Sequence, residues 1–185
     1  WAGLVDVGPD NDAAPAAIAV DMSHDLAISV SACWIEGESA HIEEVWAGTD
    51  VAAAMDWVSD RAGRRIGVLI DDLSPAAQMI PELKARRVKV RRSTARDMAK
   101  GCALVETRAN AGALTHAGQQ SVTAAVAGAR KRLIGDAGGW GWDRRDAAVR
   151  IHPLVSATLA LLGATETFRP RPVDGKKPSR KAVIG

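Results

Sequence analysis

The sequence predicts an α/β protein on a mixed five-stranded sheet, an antiparallel meander joined to parallel strands, with helices on its faces. Three observations predict it. Between Leu26 and Trp34, apolar residues alternate with small or polar ones at the period of a half-buried strand. After Thr49 the apolar residues recur instead at helical spacing. Residues 66–70, Ile-Gly-Val-Leu-Ile, form an unbroken apolar run of the kind found in strands covered on both sides.

Residues 1–15 are rich in Asp, Pro, Gly and Ala and read as an entry segment or linker. Residues 16–22 make a first strand interrupted by Asp21, and the alternating stretch to Trp34 makes a second. The turn Glu36-Gly37-Glu38 leads to a third strand around 41–46, completing the meander. Thr49 can cap the next helix, with Asp50 in its first turn and Val51, Met55, Val58 and Ala62 along one stripe. The 66–70 strand ends in Asp71-Asp72. Ser74-Pro75 opens another helix, Ser as cap and Pro at the first helical position.

Val88 and Val90 mark a fifth strand. Helices follow at about 94–108, with Met98, Cys102 and Val105 inward, and at about 119–129. Trp140-Gly141-Trp142 forms a short strand or loop, and Pro153 opens a nearly all-apolar helix ending at Gly163. A right-handed crossover from the meander makes the 66–70 strand a parallel neighbour of the first. Residues 169–185 hold six bases, one acid and three prolines, too few apolar groups to order themselves. They read as a basic flexible tail after a domain at 16–168.

Composition narrows the function classes. The chain has 185 residues, enough for one domain, and its 47% hydrophobic and 25% charged shares exclude wholesale disorder. Two cysteines, Cys33 and Cys102, exclude a disulfide framework, and with four histidines they show no zinc spacing. The apolar run 153–164 is too short to cross a bilayer, and no basic-then-apolar leader precedes the first strand. The expectation is a soluble intracellular protein with no membrane partner.

The net charge of +2 conceals an asymmetry. Residues 1–60 contain twelve acids and no Lys or Arg, whereas residues 61–185 carry all 24 bases against ten acids. Lys84, Arg86, Arg87, Lys89, Arg91 and Arg92 cluster, with Arg96 and Lys100 following at helical spacing; Arg130-Lys131-Arg132 and Arg144-Arg145 are further groups. Such a half suits a nucleic acid or another polyanion as partner.

The acids suggest chemistry to go with that partner. Asp21 lies late in the first strand and Asp71 ends its parallel neighbour, at the carboxyl ends where open α/β sheets place ligands. Adjacent carboxylates repel unless a proton or a cation intervenes, and carboxylate oxygens suit Mg²⁺ or Mn²⁺. Asp72 faces the other way and reads first as a turn residue, with metal binding its alternate role. Asp143 and Asp146, just ahead of the final helix, are candidates for the third carboxylate of a site holding two ions for phosphodiester hydrolysis. The plainer alternative makes Asp143 and Asp146 surface partners of Arg144, Arg145 and Arg150. His24 and His116 read as solvated and structural, and Trp140 and Trp142 as possible base-stacking groups among arginines.

Four segments in order carry a resemblance: Ala-Ile-Ala-Val-Asp21-Met-Ser-His-Asp; Ile70-Asp71-Asp-Leu-Ser-Pro-Ala-Ala; Leu114-Thr-His116-Ala-Gly; and Gly-Trp-Gly-Trp-Asp-Arg-Arg-Asp146 running into Ile151-His-Pro-Leu-Val-Ser-Ala-Thr-Leu-Ala. Across residues 16–165 the chain resembles the C-terminal nuclease domain of tailed-bacteriophage terminase large subunits, particularly of actinobacterial phages. The resemblance implies a ribonuclease H-like fold and a two-metal endonuclease that cuts concatemeric double-stranded viral DNA during packaging in the host cytoplasm. It makes Asp21 and Asp71 the first two metal ligands. Where the family commonly has an acid before the Ile-x-Pro-Leu-Val helix, this chain has Arg150, so Asp146 stands in as the third.

The implied partners are DNA, the terminase ATPase domain, the portal and the small subunit. No G-x-x-x-x-G-K-[ST] loop occurs, so the ATPase half is expected to lie outside this chain. The change at Arg150 leaves two other readings open: a DNA- or portal-binding module with a weakened site, and a related ribonuclease H-like resolvase.

Overall fold

A computed structural model describes residues 1–10, 12–135, 138–146 and 148–167 of the chain. The expected flexible tail at 169–185 lies outside the described residues. The meander forms as read: β1 (Ala17–Met22), β2 (Ile28–Glu36) and β3 (Ser39–Gly48) are successive antiparallel neighbours. Helix α1 (Val51–Ala62) then crosses over to β4 (Gly67–Asp71), which lies parallel to β1. The cap of α1 is Asp50 rather than Thr49, its carboxylate accepting from the amides of Ala52 and Ala53 at 2.9 and 3.1 Å.

Ser74 caps as expected, but a 3-10 turn (Pro75–Met79) comes before α2 (Ile80–Ala85). Pro81, which lacks an amide hydrogen, sits at the start of α2, where no such donor is needed. β5 (Lys89–Ser93) pairs parallel with β4, and α3 (Ala95–Asn110) opens with a full capping box between Thr94 and Asp97. After α4 (Gln120–Gly128), the strands β7 (Lys131–Ile134) and β8 (Gly139–Trp142) form a separate hairpin. The last helix is α5 (His152–Leu162).

The sheet has six strands, not five, in the order β5-β4-β1-β2-β3-β6. The extra strand, β6 (Leu114–His116), runs parallel to β3. Three residues are too few to display a period in sequence. β7 is likewise unreadable, because its Lys-Arg start looks like one more charge cluster. The entry segment is docked rather than free: Val5 bridges to His116, and the Trp1 ring stacks on the His116 ring at 3.8 Å.

Strand alternation divides the core. Ile18, Val20, Met22, Val68 and Ile70 face α1, α2 and the 3-10 turn, while Ala17, Ala19 and Leu69 face α5. All eleven residues of α5 are buried, because it lies between the sheet and α3. At about 1.5–3 kcal/mol for each fully buried Leu or Val side chain, this helix is a main source of stability. Small residues let it approach. A Cβ on Gly163 would meet Leu69 Cδ1 at 2.6 Å and Ala17 Cβ at 3.1 Å, and one on Gly101 of α3 would meet Thr158 Cγ2 at 2.9 Å. Cys33 and Cys102 are buried and free, and burial pushes both thiols up to about 12. Among the described residues, no helix is long and apolar enough to cross a membrane.

Candidate functional site

Asp21 is the penultimate residue of β1, and Asp71 is the last of β4. The parallel register pairs Val20 with Ile70, so the aspartates follow as neighbours at the carboxyl ends of the two strands. Alternation turns both toward the α5 side of the sheet, where they are 1% and 5% exposed. Two buried carboxylates so placed need compensating positive charge.

Arg144 supplies it. Its Nη1 donates to Asp21 Oδ1 at 3.2 Å and its Nη2 to Asp71 Oδ2 at 2.9 Å. One planar fork thus spans both carboxylates. Asp71 Oδ1 also accepts from the Leu73 amide at 3.2 Å, and the Ser74 amide donates to the Asp71 carbonyl. The Ser74 hydroxyl accepts from the Met22 amide at 3.3 Å, fastening the loop after β4 to the end of β1.

Burial pushes the Asp21 carboxyl up to about 6. Arg144 and a hydrogen bond from Ser74 oppose that rise, repulsion from Asp71 adds to it, and the Met22 amide opposes it again. The net direction shows that a single guanidinium undercompensates this site.

The remaining acids go elsewhere. Asp72 accepts from Arg92 Nη1 at 3.0 Å, on the turn as expected. Asp143 is gripped by Arg145 Nε and Nη2, each at 2.8 Å, which holds its carboxyl well below the usual range. Asp146 closes a local turn, its Oδ1 accepting from the Ala148 amide at 3.0 Å. Arg150 lies 3.7 Å from Asp25 at the surface. Among the described residues, no three His, Cys, Asp or Glu side chains converge to hold a metal ion.

The basic stretch is partly self-neutralised. Arg86 pairs with Asp56 and Glu82, Arg91 with Asp97, and Lys100 with Glu166. Lys84, Arg87, Lys89 and Arg96 are exposed along the same α2–β5–α3 edge. Trp142 is anchored rather than offered, its Nε1 donating to Thr158 Oγ1 at 2.9 Å, and Trp140 carries Lys131 Nζ 4.2 Å from its ring. His116 is structural, bonded to the Gly118 amide and the Trp1 carbonyl, and His24 is exposed.

A second polar cluster lies further along the same face. Ser29, the register partner of Asp21, donates to Glu44 Oε1 at 2.6 Å, and its hydroxyl lies 2.9 Å from that of Ser156. Ser31 reaches Ser156 at 2.7 Å, Ser121 donates to Glu44 Oε2, and the side chain of Gln119 brackets the Glu44 backbone. Glu44, Arg150 and His152 line a groove of about 600 Å³ beside it. Sequence reasoning found neither this cluster nor the hold of Arg144 on both aspartates. The cluster had a weak signal, three serines on otherwise apolar elements. Arg144 had none, because any arginine in a basic run reads equally as a contact for phosphate.

No family model and no curated protein matches the chain. Solved structures do. The large terminase of bacteriophage HK97 superposes with a TM-score of 0.65 at 14% identity, over 87% of this chain and 42% of that one. The large terminase nuclease of thermophilic phage G20c with bound magnesium matches at 0.58 and 12%, over 82% of each chain. The large terminase of thermophilic bacteriophage D6E matches at 0.59 and 13%, over 87% of this chain and 42% of that one. The chain spans about two fifths of the HK97 and D6E proteins it matches. Its fold is that of large-terminase nuclease domains, a ribonuclease H-like mixed sheet flanked by helices.

Proposed function

We propose that this chain is the nuclease domain of a phage terminase, a divalent-cation-dependent endonuclease that cuts double-stranded DNA. One observation carries the reading. Asp21 and Asp71 are buried side by side at the carboxyl ends of adjacent parallel strands, already sharing one cationic group. The donor set fits a divalent cation: hard carboxylate oxygens, two negative charges, and only one positive charge now set against them. The magnesium-bound neighbour of the same fold supports this choice.

Asp21 and Asp71 would hold the cation, Mg²⁺ or Mn²⁺, which when bound supplies an activated water and charge stabilisation for phosphodiester hydrolysis. Ser74 steadies Asp21, and the Leu73 amide fixes the rotamer of Asp71. A second ion requires a third carboxylate. Asp146 is the candidate, with Asp143 behind it, and either would have to leave its present partner. The exposed bases at Lys84, Arg87, Lys89 and Arg96 would contact the DNA backbone without reading sequence. In a packaging terminase the domain would act beside an ATPase domain, the portal and the small subunit, in the host cytoplasm.

The test is nicking of supercoiled plasmid with added Mg²⁺ or Mn²⁺. Cleavage that disappears in both Asp21→Asn and Asp71→Asn supports the reading, and cleavage that survives both substitutions refutes it. The occupied partners of Asp143 and Asp146 favour a second reading, a DNA- or portal-docking module without chemistry. That reading predicts salt-sensitive DNA binding and no nicking by the wild type.

A further inference from the structure

Among the described residues, Arg144 is the one basic group that reaches both buried aspartates, and it does so from irregular chain just after β8. Its backbone is tethered on both sides. Trp142 is pinned to Thr158 of α5, the Asp143 amide donates to the Arg130 carbonyl at 2.8 Å, and the Asp143 carboxylate accepts from the Arg145 amide at 3.1 Å. The side chain itself is 27% exposed and makes no other hydrogen bond among the described residues than those to the two aspartates. A long side chain on a fixed backbone can therefore leave the carboxylates without any strand or helix moving.

We infer that Arg144 is a built-in counter-cation, a positioning residue that holds Asp21 and Asp71 together until a divalent cation displaces it, and so sets how tightly the site binds metal. This rests on the reading of the two aspartates as a metal site. The charge count explains the exchange. Two buried carboxylates carry two negative charges, the guanidinium returns one, and a divalent cation returns both. The guanidinium occupies one oxygen of each aspartate, Asp21 Oδ1 and Asp71 Oδ2, so an ion held by the two carboxylates would compete with it. Apparent metal affinity is then lowered by the fraction of molecules in which the fork is closed.

The experiment is calorimetric titration of Mn²⁺ into the wild-type chain, Arg144→Ala and Arg144→Lys, with the thermal midpoint of each measured with and without the ion. The expected result is binding about tenfold tighter in Arg144→Ala, with Arg144→Lys between the two because an ammonium cannot fork across both carboxylates. Without metal, Arg144→Ala should melt lower than wild type, and saturating Mn²⁺ should close that gap. Equal affinity in all three proteins overturns the role of Arg144 while leaving the metal site standing. Binding to none of them overturns the metal-site reading and the exchange together. If Arg144→Ala does not fold, the comparison of Arg144→Lys with wild type decides in the same way.

Discussion

Two clusters share the α5 side of the sheet, and their carboxylates are partnered in different ways. Glu44 is enclosed by short side chains on regular elements: Ser29 of β2, Ser121 and the Gln119 amide at the start of α4. Those donors are carried by β2 and the start of α4. Asp21 and Asp71 are enclosed instead by one long side chain from irregular structure. The first arrangement rests on regular elements, and the second on a loop side chain. Buried Asp21 and Asp71 thus answer to a guanidinium, and half-buried Glu44 to hydroxyl groups.

The contrast breaks most visibly in cleavage. Asp71→Asn should reduce metal-dependent plasmid nicking by about 100-fold or more while leaving the circular-dichroism spectrum intact, as expected for loss of a metal-binding carboxylate. Glu44→Gln should leave nicking within a few-fold of wild type. An equal loss in both would make the two clusters one site.

Stability against pH sharpens the comparison next. Asp21 titrates at about 6 in the folded chain against 3.8 in the unfolded one. The native state therefore holds its proton more tightly, and metal-free stability falls as pH rises through that window, by about 3 kcal/mol. Asp21→Asn removes the ionisable group and still offers Arg144 an acceptor. Its thermal midpoint without metal should exceed that of wild type near about pH 8, and the gain should nearly vanish near about pH 4. A gain independent of pH would show that the Asp21 charge is not what costs stability.

Packing gives an effect of similar size. Gly163→Ala places a methyl 2.6 Å from Leu69 Cδ1 and should cost about 1–3 kcal/mol in urea unfolding, because α5 can no longer close on the sheet. Glu44→Gln should cost about 1 kcal/mol, one charge-assisted hydrogen bond weakened in a network otherwise kept. The smallest effect belongs to the basic edge. Arg87→Ala with Arg96→Ala should weaken DNA binding only a few-fold and flatten its salt dependence by about two phosphate contacts. Unchanged salt dependence would move the DNA path off this edge.

Much of this was legible in the residues. An acid on the apolar strand 17–22 is costly enough to demand a reason, and its parallel neighbour ends in another, so the pairing of Asp21 with Asp71 followed from the crossover rule alone. β6 was not legible, because three residues pair only once β3 presents an edge to them. The local partners of the two candidate third acids were not legible either. Asp143 and Asp146 each find a local partner within two residues, Arg145 and Ala148, and such short-range competition leaves no mark on spacing. The placement of Arg144 depends on a long side chain choosing among acids, which only three-dimensional geometry decides.

A crystal soaked in Mn²⁺ and read by anomalous scattering tests the pairing of the aspartates most directly. An anomalous peak between the carboxylates of Asp21 and Asp71, with Arg144 withdrawn, is the expected result. At saturating metal, carboxylates still bonded to Arg144 with no anomalous peak between them would contradict it.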